Sequence, residues 1–128
     1  MIYLDASVVL AWLFAEDARP SDDLWLEALT SSRVLEYEVW SRLYSREADI
    51  ADIDRAKGML QGVEYIELSR EALDRALQPF PLHVRTLDAL HLATMVFLRR
   101  RDRLIELASY DARLLTAARA LDIPVRKL

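Results

Sequence analysis

Short β-type runs recur between helical segments along this chain, and that alternation restricts the fold more than any other feature. The run "MIYL" at the start is apolar and leads into Asp5. "VEYIEL" alternates like a half-buried strand, "LIELASY" reads as a buried one, and "IPVRKL" closes the chain as a short one. Strands are therefore expected at 2–5, 63–67, 104–109 and 124–126. Helices are expected between them: one opening near Ser7, one over about Asp23 to Leu29, then "EVWSRLYSRE", "DIDRAKGMLQG", "SREALDRALQ", "LDALHLATMVFLRR" and "DARLLTAARAL". Thr86 is the expected cap of the long apolar helix, and Ser69 that of the helix before it. Strand–helix alternation of this kind predicts an α/β domain over 1–128. Its mostly parallel central sheet, of about four to five strands, has helices on both faces.

Composition removes several chemistries. The chain has 128 residues, 53% of them hydrophobic, enough for one core. It has no cysteine, so disulfides, thiolate metal sites and cysteine catalysis are excluded. Its two glycines cannot supply a phosphate-cradling loop of the GxxxxGK or GxGxxG type. "MIYLDAS" lacks the basic start and apolar stretch of a signal peptide, and no apolar run approaches the roughly 20 residues of a membrane span. A cytoplasmic protein is expected.

The net charge of −4 hides an asymmetry. Residues 98–128 hold eight cations against four carboxylates, leaving the rest of the chain strongly acidic. "RRRDR" at 99–103 suits either a solvated helix end or a phosphate-facing patch, and charge alone does not choose.

Four acids fall at comparable places: Asp5 after the first strand, Glu38 at the start of "EVWSR", Asp88 in the first turn of the apolar helix, and Asp111 after "LASY". In a parallel sheet the carboxyl ends of strands and the amino ends of the following helices share one edge, where ligands bind. Singly, each acid has a plain structural explanation in helix capping or the macrodipole. It is weakest for Asp88, whose helix is apolar nearly all round. Together, carboxylates a few ångströms apart need a cation to ionise. Oxygen donors without cysteine or clustered histidine suit Mg²⁺ or Mn²⁺ better than Zn²⁺. Glu36 competes with Glu38, and the four-residue step from Glu38 to Arg42 favours the latter. His91 lies one turn beyond Asp88, either as a general base or, the commoner case, as a satisfied near-core histidine. Trp12, Phe14, Trp25 and Trp40 suit the core or an apolar partner groove.

"MIYLDAS", "EYEVWSR", "RTLDALHLAT" and "SYDARLLTAARAL" resemble, in order and spacing, the motifs of PIN-domain ribonucleases, and most closely the VapC-type toxins of toxin–antitoxin pairs. The likeness spans essentially the whole chain, and "LDALHLA" and "SYDARL" are its most specific parts. It implies a Mg²⁺- or Mn²⁺-dependent endoribonuclease acting on RNA, with Asp5, Glu38, Asp88 and Asp111 as catalytic and metal-holding acids. Ser7 and Ser109 match the hydroxyl residues placed beside the first and last of them. The resemblance also implies a homodimer and inhibition by a small VapB-type antitoxin. Asp122 stands where members often have glycine, a change its tolerance of left-handed backbone absorbs. Other readings are an RNA-processing nuclease without a toxin role, a catalytically silent interaction module, and a flavodoxin-like regulator, which lacks its expected lysine.

Overall fold

A computed structural model describes all residues, 1–128. Its centre is β1 (Ile2–Leu4), whose three side chains are at most 1% exposed. Around it run α1 (Ala6–Leu13), a 3₁₀ turn at Asp22–Leu26, β2 (Leu29–Ser32), α2 (Val34–Ser45), α3 (Ile50–Gln61) and β3 (Val63–Ile66). They are followed by α4 (Arg70–Leu77), α5 (Thr86–Arg99), β4 (Glu106–Ala108) and α6 (Ala112–Ala120). The four strands are all parallel, in the order β3-β2-β1-β4. β1 alternates its side chains between two apolar layers. Ile2 and Leu4 pack with α1, α2 and α3, and Tyr3 packs with α5 and α6. Burial on both faces explains why the strand is uniformly apolar. No helix is long and apolar enough to cross a membrane.

The fold class expected from sequence is the one observed, with three differences in its elements. The first lies where a helix was expected over Asp23 to Leu29. That stretch holds the 3₁₀ turn and then β2, a strand absent from the sequence expectation. Its sequence "LTSS" carries one apolar residue, yet all four positions are buried. Each hydroxyl finds a local partner: Thr30 donates to the Glu64 carbonyl, Ser31 donates to the Leu4 carbonyl, and Ser32 accepts from Val34 N–H. Hydroxyls paired with neighbouring backbone can occupy a central strand, and hydrophobic periodicity is blind to them. The second difference is at 124–126, where only a bridge between Val125 and Leu107 forms. Pro124 interrupts the donor series a full strand would need. The third concerns helix starts. α2 begins at Val34, so Glu38 sits in its second turn rather than at its opening, and Arg85, not Thr86, occupies the cap position of α5. Ser69 caps α4 as expected, and Asp122 adopts a φ of 56°.

"RRRDR" resolves toward the structural explanation. Arg99 donates to the Leu121 carbonyl at the end of α6, Arg101 pairs with Glu71, and Arg103 pairs with Glu64. The run leaves the carboxyl end of α5, roughly 17 Å of helical rise from Asp88.

Tyr3 joins the two halves of the structure. Its buried hydroxyl accepts from Ser32 N–H at 3.1 Å and lies 2.8 Å from His91 Nδ1. Burial raises the phenol above its ordinary pKa, so it stays protonated at neutral pH. Tyr3→Phe strands both partners in the interior, and a loss of about 1–3 kcal/mol is expected from urea unfolding. A variant as stable as the parent would show that neither contact holds β1 to β2 or α5.

Candidate active site

The switch in strand order at β1 opens a crevice above the carboxyl ends of β1 and β4. A cleft of about 670 Å³ lies there, and Asp5, Ser7, Glu38, Asp88 and Asp111 all line it. Ser109 is buried, 4% exposed, behind Asp5. Residues from four separate helices and two strand ends therefore meet on one surface.

Asp5 is the N-cap of α1, and its Oδ2 accepts from Ser7 N–H, the Ser7 hydroxyl and, at 2.8 Å, the Ser109 hydroxyl. All these donors converge on one oxygen, which leaves Oδ1 as the open donor atom. The serines are themselves placed by backbone: Tyr110 N–H donates to Ser7 Oγ and Asp111 N–H to Ser109 Oγ, both at 2.9 Å. Asp111 divides its carboxylate in the same way. Oδ1 caps α6 by accepting from Arg113 and Leu114 N–H, while Oδ2 accepts from Arg85 at 2.9 Å. Capping and a site role thus coexist on different oxygens of one side chain.

Glu38 reaches the cleft from the buried side of α2, where its Oε1 meets His91 Nε2. Glu36 points elsewhere, into an exposed pair with Arg33, which also holds Glu67. His91 is fully buried, and both ring nitrogens are engaged. An ionised carboxylate only accepts, so Nε2–H donates to Glu38, and in the neutral ring Nδ1 then accepts the Tyr3 proton. His91 is therefore the satisfied interior histidine, and it holds Glu38 from behind. One donor atom each from Asp5, Glu38 and His91 lies within 4.8 Å of the others.

Arg85 is the residue that periodicity and acid counting passed over. Its Nε donates to Asp88 Oδ2 at 3.2 Å while its Nη2 reaches Asp111. The signal was present as the three-residue step in "RTLD", a spacing that brings side chains together at a helix start. Arg42 also lines the cleft and forms no ion pair. Trp12, Phe14, Trp25 and Trp40 are partly buried against the core on the α1–α3 side.

Asp88 is 8% exposed, and burial pushes its carboxyl above the ordinary carboxylate range, against the pull of Arg85. A raised folded-state pKa means that ionised Asp88 destabilises the fold. The penalty is present at neutral pH and vanishes as pH falls below the unfolded value. The lost pair with half-exposed Arg85 is worth at most about 1 kcal/mol. Asp88→Asn is thus expected to melt at or above the parent in EDTA at pH 7, with the difference shrinking toward pH 3. A clearly lower melting temperature at pH 7 would instead give the carboxylate a stabilising role at the helix start.

Known proteins share this fold. Ribonuclease VapC47 of Mycobacterium tuberculosis is 28% identical over 125 residues, covering 93% of this chain and 90% of its own. The crystal structure of M. tuberculosis VapC20, described as a sarcin-ricin loop cleaving toxin, superposes with a TM-score of 0.68 at 20% identity. That match covers 91% of this chain and 95% of VapC20. A toxin–antitoxin complex from Klebsiella pneumoniae contains a chain that matches with a TM-score of 0.61 at 18% identity, covering 94% of each. The PIN domain family model matches residues 2–123, and the chain belongs to the PIN domain family.

Proposed function

We propose that this chain, a single PIN domain over 1–128, is a divalent-metal-dependent endoribonuclease that acts as the toxin of a toxin–antitoxin pair. The observation that carries this is the meeting of Asp5, Glu38, Asp88 and Asp111 on one cleft at the sheet's carboxyl edge. The similarity to proteins named as VapC ribonucleases and toxins supports the substrate class and the antitoxin partner.

The donor set fits Mg²⁺ or Mn²⁺. Asp5 keeps Oδ1 clear of protein donors, Glu38 keeps Oε2 clear, and hard cations of this kind prefer such oxygens. Asp5 and Glu38 would hold the ion, with Asp88 and Asp111 completing the acidic wall. A bound ion there would polarise a phosphoryl oxygen and lower the pKa of a coordinated water. The chain's own contribution is placement. Ser7 and Ser109 fix the orientation of Asp5, His91 fixes Glu38, and the cap geometry fixes Asp111. Arg42 offers a free guanidinium to the RNA backbone, which steers a polyanion toward a cleft where carboxylates outnumber cations.

A basic side chain of a small VapB-type antitoxin suits the same carboxylates. The homodimer also belongs to this proposal. An apolar groove between α4, residues 79–84 and α5 leaves Leu77 and Leu82 exposed, and sedimentation of the purified chain reports whether two copies associate.

Asp5→Asn removes the charge without changing the shape. With Mn²⁺ it is expected to cut RNA at least about 100-fold more slowly than the parent, the loss of a few kcal/mol of charge stabilisation. Expression of the parent chain alone is expected to arrest growth, and the folded Asp5→Asn protein to permit it. RNA cleavage without growth arrest would indicate an RNA-processing role. Equal cleavage by both proteins would remove Asp5 from the chemistry.

A further inference from the structure

Arg85 is tied to the cleft by the fold. It is the N-cap residue of α5, in extended backbone with φ −75° and ψ 163°. From there its side chain meets Asp88 in the first turn of the helix and crosses to Asp111 at the start of α6. Two carboxylates on different helices thus hold one guanidinium, through Nε and Nη2. Nη1 is left with both of its N–H donors free, and the side chain remains 58% exposed on the cleft wall. A planar fork with donors to spare matches two oxygens of a phosphodiester.

Charge counting points the same way. The cleft holds four carboxylates and two guanidiniums, Arg42 and Arg85. One divalent ion brings that set to formal neutrality. A second would need Arg85 to leave Asp88 and Asp111, which are its only carboxylate partners.

We propose that Arg85 is the cleft's built-in second cation: a catalytic residue, held between Asp88 and Asp111, that binds the scissile phosphate of RNA beside a single divalent ion. This rests on the ribonuclease function proposed above. Arg85 supplies the positive charge opposite Asp5 and Glu38, and it does so permanently, without dependence on metal concentration.

Arg85→Met and Arg85→Lys test this in the full-length protein, with Mn²⁺ as the probe. Calorimetric titration should find one Mn²⁺ per parent chain. In Arg85→Met it should find about tenfold tighter binding or a second ion, since a competing charge has gone. At saturating Mn²⁺, Arg85→Met should cut RNA at least about 100-fold more slowly in kcat, the scale for losing a preorganised transition-state donor. Arg85→Lys should recover part of that rate. Weaker Mn²⁺ binding in Arg85→Met, or cleavage at the parental rate, would overturn the proposal, as would a slow rate fully restored by excess Mn²⁺. Failure of the ribonuclease function itself looks different: the parent does not cut RNA, or Asp5→Asn cuts equally well. In that case the Mn²⁺ titration still decides whether Arg85 competes for the site, and unchanged affinity and stoichiometry in Arg85→Met overturn its role.

Discussion

The hydrogen bonds that converge on Asp5 Oδ2 set the geometry of the whole site. Ser7 belongs to α1 and Ser109 follows β4, so one carboxylate oxygen ties the end of β1 to the helix it feeds and to the neighbouring strand. Ser7 and Ser109 lie 3.4 Å apart and are anchored in turn by Tyr110 and Asp111 N–H. β1 therefore cannot shift against β4 without breaking a knot of buried and half-buried polar contacts, which are costly to leave unmade. That knot orients Asp5 before any cation arrives, and preorganisation of this kind is what a charged site needs.

A second line of polar contacts runs through the core from the opposite direction. Ser32 N–H, the Tyr3 hydroxyl, His91 and Glu38 form a chain from β2 through β1 and α5 to α2. Every member but Glu38 is buried. Such a chain fixes the direction of the Glu38 carboxylate much as outer-shell partners fix metal ligands elsewhere. The two lines meet at the cleft, where stability and function are in tension over Asp88. Its burial is unfavourable for an ionised acid and is only partly offset by Arg85.

Much of this was legible in the chain. The strand–helix alternation implied a parallel sheet, and a parallel sheet places Asp5 and Asp111 at one edge whatever the details. The buried apolar helix made Asp88 conspicuous. β2 has no apolar signature because its three hydroxyl residues are satisfied by the backbone of Glu64, Leu4 and Val34 in neighbouring elements. The same lack of signature hid the Tyr3–His91 contact, which joins residues 88 apart in sequence. Glu38 could be separated from Glu36 only by helix face, and its assignment rested on the step to Arg42. For Arg85 the three-residue step to Asp88 is visible in the sequence, but its second partner, Asp111, lies 26 residues away on another helix.

The central claim is that Asp5 and Glu38 form the cation seat while Arg85 keeps Asp88 and Asp111. Anomalous diffraction from crystals soaked in Mn²⁺ measures this directly. A single peak is expected at about 2.2 Å from Asp5 Oδ1 and a Glu38 oxygen, the bond length of a hard divalent ion with oxygen donors, with the Arg85 guanidinium still on both aspartates. A peak seated on Asp88 and Asp111 with Arg85 displaced would contradict the account, and so would the absence of manganese from Asp5.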